Sequence, residues 1–308
     1  MRALAAYLMR GRLHAILAVA AFAMGSLLLP PLSYLSSAGI GLVTLHKGSL
    51  QGLFIILGAG FAIGLLAFAT LGNPAPGLAF AIVIGLPIWL LGLILRSTAS
   101  LALALISATA MGALAIAAMH LFTVDTAASW REILDVAVKP ALEQSGALGD
   151  AQKIDLLLAE LAQVLTGLLA ATMVISLIIS LLIARWWQAM LYNPGGFRQE
   201  FHGLRLSRLL ALPTLAVLAA ALLGEGEFAQ IATEMLAVLL VLYSVQGLAL
   251  AHRTVARRGA HLAWLIALYV LLLAALPQVG LLLAAAGFAE TWLNFRAPLN
   301  STRDKKQE

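Results

Sequence analysis

Cysteine is absent from the 308-residue sequence, and charged residues are scarce. Without thiols the chain cannot form a disulfide, a thiolate metal site or a cysteine nucleophile. Only 11% of the residues are charged, against about 25% in a soluble globular domain. Hydrophobic residues make up 62% of the chain, so folding in water would expose large apolar patches. We therefore expect an integral membrane protein with the lipid bilayer as its solvent and first partner.

The motifs of common enzymes are missing as well. The sequence has no His-Glu-x-x-His, no Gly-x-Ser-x-Gly and no P-loop. No spacing of His, Asp and Glu indicates a metal site, so we expect no enzyme activity, no cofactor and no ATP hydrolysis by this chain alone. The formal charge of +5 does not favour nucleic acid, because the cations are spread among loops and do not form one basic face.

Ten apolar segments follow one another along the chain. They cover residues 13–29, 32–45, 50–71, 78–95, 99–122, 162–184, 209–223, 231–251, 261–276 and 279–289. A helix that crosses the hydrocarbon core needs about 20 apolar residues. Segments 32–45, 209–223 and 279–289 are shorter, and whether they span fully stays open. The pattern predicts an all-α polytopic transmembrane helical bundle of about 8–10 membrane segments, in a single integral membrane domain of residues 1–308.

Lysine and arginine occupy alternate gaps between these segments, and the only exceptions are Arg131, Lys139 and Lys153. Because cytoplasmic loops carry the excess of Lys and Arg, both termini are expected to be cytoplasmic, in a multi-pass protein of a bacterial inner membrane. Merging the first two segments into one helix kinked at Pro30-Pro31 would break this alternation, so we predict a turn there. A cleavable signal is the alternative for the first segment, but its apolar run continues to Leu29, which favours an uncleaved helix.

The longest gap, residues 123–161, is predicted to be an extracytoplasmic amphipathic insertion. Trp130, Leu134, Ala137 and Ala141 recur there at helical spacing, opposite acidic residues, as in a helix lying on the outer surface. Asp150 is expected to cap a second helix that continues into the sixth segment. Residues 297–308 are predicted to form a polar cytoplasmic tail.

Two polar stretches are candidate ligand contacts. The second segment carries Ser33, Tyr34, Ser36 and Ser37 among glycines, and hydroxyls need partners at membrane depth. Two interpretations stay open for them, a cavity wall and close helix packing. Glu290, Asn294 and Arg296 near the C-terminus combine a carboxylate, an amide and a guanidinium, and charge near membrane depth indicates function.

Residues 185–208 are predicted to form a cytoplasmic interfacial loop. Tryptophan and arginine suit the headgroup level, and Pro194-Gly195 fits a type II turn. The candidate contacts for a partner protein or lipid are Arg185, Trp186, Trp187, Asn193, Phe197, Arg198 and Phe201. An ordinary interfacial anchor is the alternative. Gly60 and Gly64 form a small-xxx-small motif, which allows either an internal helix contact or a homo-oligomer.

Four stretches together carry a resemblance to known proteins. They are Leu29-Pro30-Pro31-Leu32-Ser33-Tyr34-Leu35-Ser36, Val43-Thr44-Leu45 before Lys47-Gly48, Tyr192-Asn193-Pro194-Gly195-Gly196-Phe197, and Trp292-Leu293-Asn294-Phe295-Arg296. With them the chain resembles the YybS-like family of uncharacterised bacterial inner-membrane proteins, a resemblance that implies no catalytic residues. At the level of fold, it is similar to the substrate-binding membrane subunits of energy-coupling factor vitamin transporters, which depend on separate ATPase subunits.

The function expected from the sequence is binding, not catalysis. The leading hypothesis is a transporter-like membrane subunit without its own ATPase, which binds a small solute or lipid between the second and tenth segments. The alternative is a membrane scaffold or assembly factor that docks a cytoplasmic or membrane partner protein through residues 185–208.

Overall fold

The computed structural model describes residues 1–145 and 151–293, and every regular element in them is helical. In chain order the helices are α1 (Arg2–Met9), α2 (Arg12–Gly25), α3 (Leu32–Lys47), α4 (Ser49–Leu71), α5 (Ala75–Ala79), α6 (Leu86–Thr98), α7 (Leu101–Phe122), α8 (Thr126–Ala137), α9 (Lys139–Ser145), α10 (Ala151–Tyr192), α11 (Gly196–Gly203), α12 (Arg208–Leu223), α13 (Gly226–Arg258), α14 (Ala263–Ala274) and α15 (Leu276–Leu293). A π-helical turn, Phe80–Gly85, joins α5 to α6. The predicted all-α polytopic bundle is confirmed.

Each of the ten apolar segments corresponds to a helix, but not every helix is long enough to cross a bilayer. Within the described residues six helical stretches meet the length and composition of a span, namely α4, α5–α6, α7, α10, α13 and α15. A seventh arises if α11 and α12, bent by 53°, count as one span. The shorter apolar helices α2 and α14 reach only about 21 and 18 Å at 1.5 Å per residue, against a hydrocarbon core of about 30 Å.

Helix α3 lies at the centre of the bundle. It packs against α1, α2, α4, α6 and α10, and its residues from Ser36 to Leu45 are all buried. Small residues allow this crowding: a Cβ on Gly39 would lie 2.9 Å from Val19, and one on Gly41 would lie 2.9 Å from Ala184. The polar second segment of the sequence is therefore the most enclosed helix of the fold, because its small side chains let neighbouring backbones approach closely.

The Gly60 and Gly64 motif is used inside the chain. Gly77 of α5 lies so close that a Cβ on it would collide with the carbonyl oxygen of Gly60 and the backbone of Gly64. The sequence left two interpretations of this motif open, an internal helix contact and a homo-oligomer. The structure contains the internal contact. A homo-oligomer through the same glycines stays an untested prediction.

The structure gathers the cations of distant loops at one end of the bundle, which we call the basic end and define by Lys47, Arg96, Arg185 and Arg208. The Lys47 ammonium donates to the carbonyl of Met9 over 3.0 Å, and Arg208 Nε donates to the carbonyl of Thr291 over 3.3 Å. Arg96 and Arg185 line one pocket. This convergence agrees with the alternation of cations in the sequence, because alternate gaps of a serpentine chain meet at the same end.

A small helical unit stands at the opposite end. Helix α10 has 42 residues, or about 63 Å, which is twice the hydrocarbon thickness. Its first turns pack against α8 through a separate cluster that includes Leu134, Ile154 and Leu158. Trp130 Nε1 also donates to Thr166 Oγ1 over 2.8 Å. The amphipathic helix thus packs its apolar face on protein, while Asp150 and residues 297–308 lie outside the described residues.

An ion-pair network fastens α8 and α9 to α10. Arg131 Nη2 lies 2.7 Å from Asp155 Oδ1 and 3.0 Å from Asp135 Oδ1, and Lys139 Nζ lies 2.8 Å from Asp155 Oδ1. The hydrogen bond from Arg131 is the main cause that lowers the pKa of Asp135. Likewise, the hydrogen bond to Asp155 raises the pKa of Lys139. Arg131 and Lys139, two of the three cations that break the alternation in the sequence, are therefore paired with acids of this unit.

Candidate functional site

A polar pocket of about 310 Å³ opens at the basic end, and we call it the Arg96 pocket. Its walls come from the ends of α3 and α6, from Ala99 between α6 and α7, from the last turns of α10, and from α11 with the turn before it. The lining residues are Leu45, Leu95, Arg96, Ala99, Arg185, Gln188, Tyr192, Asn193 and Glu200. Polar groups from separate helices that converge on a concave surface are the usual signature of a small-molecule site.

The charge of Arg185 is already matched within this pocket. Its Nε donates to Glu200 Oε2 over 2.8 Å, and its Nη2 forms an ion pair with the other carboxylate oxygen of Glu200. Its Nη1 donates to Gln188 Oε1 over 3.0 Å. A fork of parallel bonds to one carboxylate holds a guanidinium rigidly. Arg185 and Glu200 therefore form a fixed, neutral wall that joins α10 to α11.

Among the described residues Arg96 has no such acidic partner. Its Nη1 donates to the carbonyls of Leu45 over 2.7 Å and His46 over 2.9 Å. These carbonyls belong to the last turn of α3, where they lack intrahelical donors. The Nε and Nη2 groups make no hydrogen bond within residues 1–145 and 151–293. The pocket therefore holds one cation that is fixed in place and still has donors to offer to an anion.

Two neighbouring features set the charge around Arg96. Burial first, and then the positive charges of Lys47 and Arg96, lower the pKa of His46, so this ring is disfavoured as a second cation. The His46 ring stacks on Tyr192 at 3.8 Å between centroids. Helix α7 begins beside the pocket, where Ser100 Oγ accepts from the Leu103 amide over 3.3 Å. The positive end of its dipole adds to the field of Arg96.

The serines predicted as ligand contacts are engaged with the backbone. Ser33 Oγ donates to the carbonyl of Pro30 over 2.7 Å, and Ser36 Oγ donates to that of Val19 over 2.9 Å. Ser37 Oγ donates to the carbonyl of Ser33 over 3.1 Å, and Tyr34 is partly buried on the same helix. The bond from Ser36 joins α3 to α2, as the close-packing interpretation expects, whereas the bonds from Ser33 and Ser37 are local to α3 and the turn before it. A ligand role for the four residues stays untested.

The second predicted ligand stretch lies elsewhere in the bundle. Glu290 is fully buried on α15, and Asn294 and Arg296 lie outside the described residues. Helix α15 packs against α12, α13 and α14, whereas α3 packs against the first helices and α10. Within the part of the chain that the structure describes, Glu290 and the serines therefore do not share a cavity.

Next to Glu290 the structure contains a polar cluster that the sequence did not reveal. Gln246 of α13 is fully buried. Its Oε1 accepts from the Leu206 amide over 2.8 Å, and its Nε2 donates to the carbonyl of Gly287 over 2.7 Å and to Thr291 Oγ1 over 3.2 Å. The Gln246 side chain thus connects α13 with α15 and with residues 204–207, which link α11 to α12.

The candidate interface residues divide into exposed and buried groups. Trp186 is 39% exposed and Asn193 and Arg198 are exposed, whereas Trp187 is fully buried in the core. The Phe197 and Phe201 rings stack at 5.9 Å, and Phe201 packs edge-on against His252 of α13 at 5.6 Å. The predicted docking surface is therefore smaller than the sequence suggested, because Trp187 faces the core and Phe201 packs on α13.

A buried contact between a histidine and a glutamate lies at the other end of the bundle, away from the predicted residues. His120 Nε2 of α7 is 2.8 Å from Glu234 Oε2 of α13, and His120 Nδ1 is 3.4 Å from Glu227 Oε1. The sequence showed only that His120 and Glu234 are single ionisable residues, each near one end of its own apolar segment. Their 114-residue separation hid the pairing. No group of three or more His, Asp or Glu in the described ranges could hold a metal ion.

Comparison with known proteins places the chain in one family. The family described as predicted membrane protein (DUF2232) matches residues 15–290. No curated protein and no solved structure matches the chain. The YybS-like and energy-coupling factor resemblances are not confirmed by these comparisons.

Proposed function

The chain belongs to DUF2232, a family of predicted membrane proteins, and we propose that it is a non-enzymatic, transporter-like subunit that binds a small anionic solute in the Arg96 pocket. It is a multi-pass membrane protein. In the proposed arrangement it lies in a bacterial inner membrane with the basic end towards the cytoplasm, as the excess of Lys and Arg favours.

The observation that carries this proposal is the unequal use of the two guanidinium groups. Arg185 is held by Glu200 and Gln188, whereas Arg96, among the described residues, donates only to the end of α3 and keeps two donor positions. A planar guanidinium with neighbouring free N–H groups matches a carboxylate or phosphate oxygen pair. The ligand class supported by this geometry is therefore a small solute that carries a carboxylate or phosphate.

The rest of the pocket supports a solute rather than a lipid chain. Gln188, Asn193 and Tyr192 add polar groups from α10 and the turn after it, and Leu45 and Leu95 supply the apolar floor. Few polar groups on a rigid apolar base are typical of pockets that orient a small ligand. The sequence carries no P-loop, so energy for any movement of the solute would come from a separate subunit.

Calorimetric titration of the purified protein with inorganic phosphate and with malonate tests this proposal. We expect at least one of the two anions to bind, and Arg96→Gln to weaken that binding about tenfold or more, because a hydrogen bond to a charged group is worth about 1.5–3 kcal/mol. Arg10→Gln is the matched control, since Arg10 is exposed at the same end and lies outside the pocket. Circular dichroism would establish that both variants keep their helices.

A second variant separates ligand contact from the support that Arg96 gives to α3. Asn193→Asp places a negative charge on the pocket wall and leaves the bonds from Arg96 to Leu45 and His46 in place. We expect it to weaken anion binding as well. If neither anion binds the unaltered protein, or if Arg96→Gln binds as tightly as Arg10→Gln, the proposed site is wrong.

A membrane scaffold is the second candidate function. Trp186 and Arg198 remain exposed beside α11 at the basic end, where a cytoplasmic partner would meet them. A photo-reactive residue at position 198 should then cross-link a defined protein partner, and a matched probe at position 201, which is partly buried, should cross-link it less. Cross-linking to lipid alone would count against this candidate.

A further inference from the structure

We propose that the groove between α13, α14 and α15 binds an anionic phospholipid from the membrane leaflet at the basic end. The groove has a volume of about 710 Å³, and most of its walls are aliphatic. It lies apart from the Arg96 pocket and shares no lining residue with it. This inference therefore does not depend on the proposed solute site.

The groove exists because two helices pack closely while the third stands away. A Cβ on Gly247 of α13 would collide with the carbonyl oxygen of Leu283 on α15, so these two backbones touch. Helix α14 has no residue buried within the protein. It is tied to α13 by a hydrogen bond of 2.8 Å between His252 Nε2 and Tyr269 Oη. The three helices therefore leave an open cleft that is held at a fixed width on one side.

The length of the groove matches one leaflet. Its wall on α13 runs from Gly247 to Arg258, which is 12 residues separated by 11 rises, or about 16 Å at 1.5 Å per residue. Half of a hydrocarbon core of about 30 Å is about 15 Å. Leu271 and Leu283 line the deep part, and Trp264 and Arg258 line the part at the basic end. An acyl chain would thus lie along the leucines with its headgroup beside Arg258.

Charge decides which lipid fits. Arg258 is exposed and makes no hydrogen bond or ion pair within residues 1–145 and 151–293, and no carboxylate lines the groove. The Thr254 hydroxyl already donates to the Leu250 carbonyl. The Arg258 guanidinium is therefore the main polar group that the groove offers to a ligand. Trp264 is 70% exposed at the same level, as suits an indole at the headgroup region. A phosphate headgroup with net negative charge complements this end.

Two substitutions test the polar and the apolar parts of the groove separately. Arg258→Gln removes the headgroup contact, and Arg10→Gln removes a charge at the same end of the bundle but outside the groove. Ala267→Phe fills the cleft, and Ala285→Phe adds the same ring at another exposed position that does not line it. Both alanines are exposed on helices, so a ring at either site is compatible with folding.

The measurement is native mass spectrometry of the full chain after exchange into mixed micelles with phosphatidylglycerol or phosphatidylcholine. We expect the unaltered protein to retain phosphatidylglycerol in preference to phosphatidylcholine. Arg258→Gln should lower phosphatidylglycerol retention about fivefold, since a basic residue near an anionic surface is worth about 1 kcal/mol. Ala267→Phe should lower it as well, while Arg10→Gln and Ala285→Phe should retain it.

Three results would overturn the proposal. The first is equal retention of the two lipids by the unaltered protein. The second is Arg258→Gln behaving like Arg10→Gln, which would show that the guanidinium does not select the lipid. The third is a cross-linker placed at Leu268 capturing a second copy of the chain, which would show that another protomer occupies the groove. Because the Arg96 pocket is untouched by all four variants, anion binding there can fail or persist independently.

Discussion

His120 Nε2 lies 2.8 Å from Glu234 Oε2, and both side chains are buried between α7 and α13. Gly167 of α10 packs directly on Glu234, where a Cβ would lie 3.0 Å from its Cα. Gln230 Nε2 donates to the other carboxylate oxygen of Glu234 over 3.4 Å, so the His120 ring is the partner of Oε2, and a buried polar atom that loses its partner is left unsatisfied. The pair therefore ties two long helices together at the end opposite the Arg96 pocket.

We expect His120→Ala to destabilise the protein by about 1–3 kcal/mol, since it leaves Glu234 Oε2 buried without its hydrogen-bond partner. The midpoint of thermal unfolding in detergent, followed by circular dichroism, measures this effect. The double variant His120→Ala with Glu234→Gln should recover much of the loss, because a neutral amide is cheaper to bury than a charge. Equal melting of the single and double variants would show that the contact between His120 and Glu234 does not hold the helices together.

Gly77→Ala should destabilise the first half of the bundle. Its new methyl group would meet the backbone of Gly60 and Gly64, and backbone cannot move aside as a flexible side chain can, so a cost of about 1–3 kcal/mol is expected. Gly280→Ala is the matched control, because no atom lies within 4 Å of its Cβ position. The free energy of unfolding by denaturant titration distinguishes the two. A Gly77→Ala protein as stable as the control would contradict the close contact of α4 and α5.

Gln246→Leu should weaken the attachment of α13 to the link before α12. The Leu206 amide would lose its acceptor in a buried site, and an unsatisfied buried donor costs about 1–3 kcal/mol. Hydrogen exchange of the Leu206 amide measures this directly, and we expect faster exchange in the variant. Gln199→Leu makes the same chemical change at an exposed position of α11 and should leave the exchange of Leu206 unaltered. Unchanged protection in Gln246→Leu would show that the amide has another acceptor.

The unit of α8, α9 and the start of α10 should loosen in acid. The hydrogen bond from Arg131 lowers the pKa of Asp135 below that of the unfolded chain. A depressed carboxyl pKa contributes stability above the unfolded value, about 3.9, and loses it as the pH falls through the folded value. Protection factors of α8 amides should therefore fall below about pH 4. Asp135→Asn should reduce this dependence, with the remainder coming from Asp155, whose pKa is lowered by its hydrogen bonds from Lys139 and Arg131; an identical pH profile in that variant would assign the loosening to other carboxylates.

Consecutive residues of one helix show where sequence reasoning stopped. Trp186 and Trp187 were both expected at the headgroup level, yet only Trp186 is exposed. Side chains of neighbouring helical residues point about 100° apart, since a turn holds 3.6 residues, so one faces the surface and the next faces the core. Composition placed both tryptophans near a membrane end. Only the packing of α10 determined that Trp187 is buried and Trp186 is exposed.

The candidate site was visible in the sequence only in part. Arg185 and Asn193 were expected to be functional, although as docking residues, and they line the Arg96 pocket. Arg96 gave no local signal, because a single arginine after an apolar segment is what cytoplasmic loops ordinarily contain. Its importance comes from the contrast with Arg185, and that contrast depends on Glu200, which only the fold of α11 brings to Arg185.

The sequence alone determined that this chain is a membrane protein, that its apolar segments are helices, and which gaps between them carry the cations. Hydropathy and charge are local properties, and each segment interacts with the bilayer through its own residues. The tertiary structure alone decided which helices touch. It made α3 the central helix, paired His120 with Glu234, left Arg96 with free donors and opened the groove beside Arg258. Such contacts join residues far apart in the chain, and they arise from the fit of whole helix surfaces, which no single segment encodes.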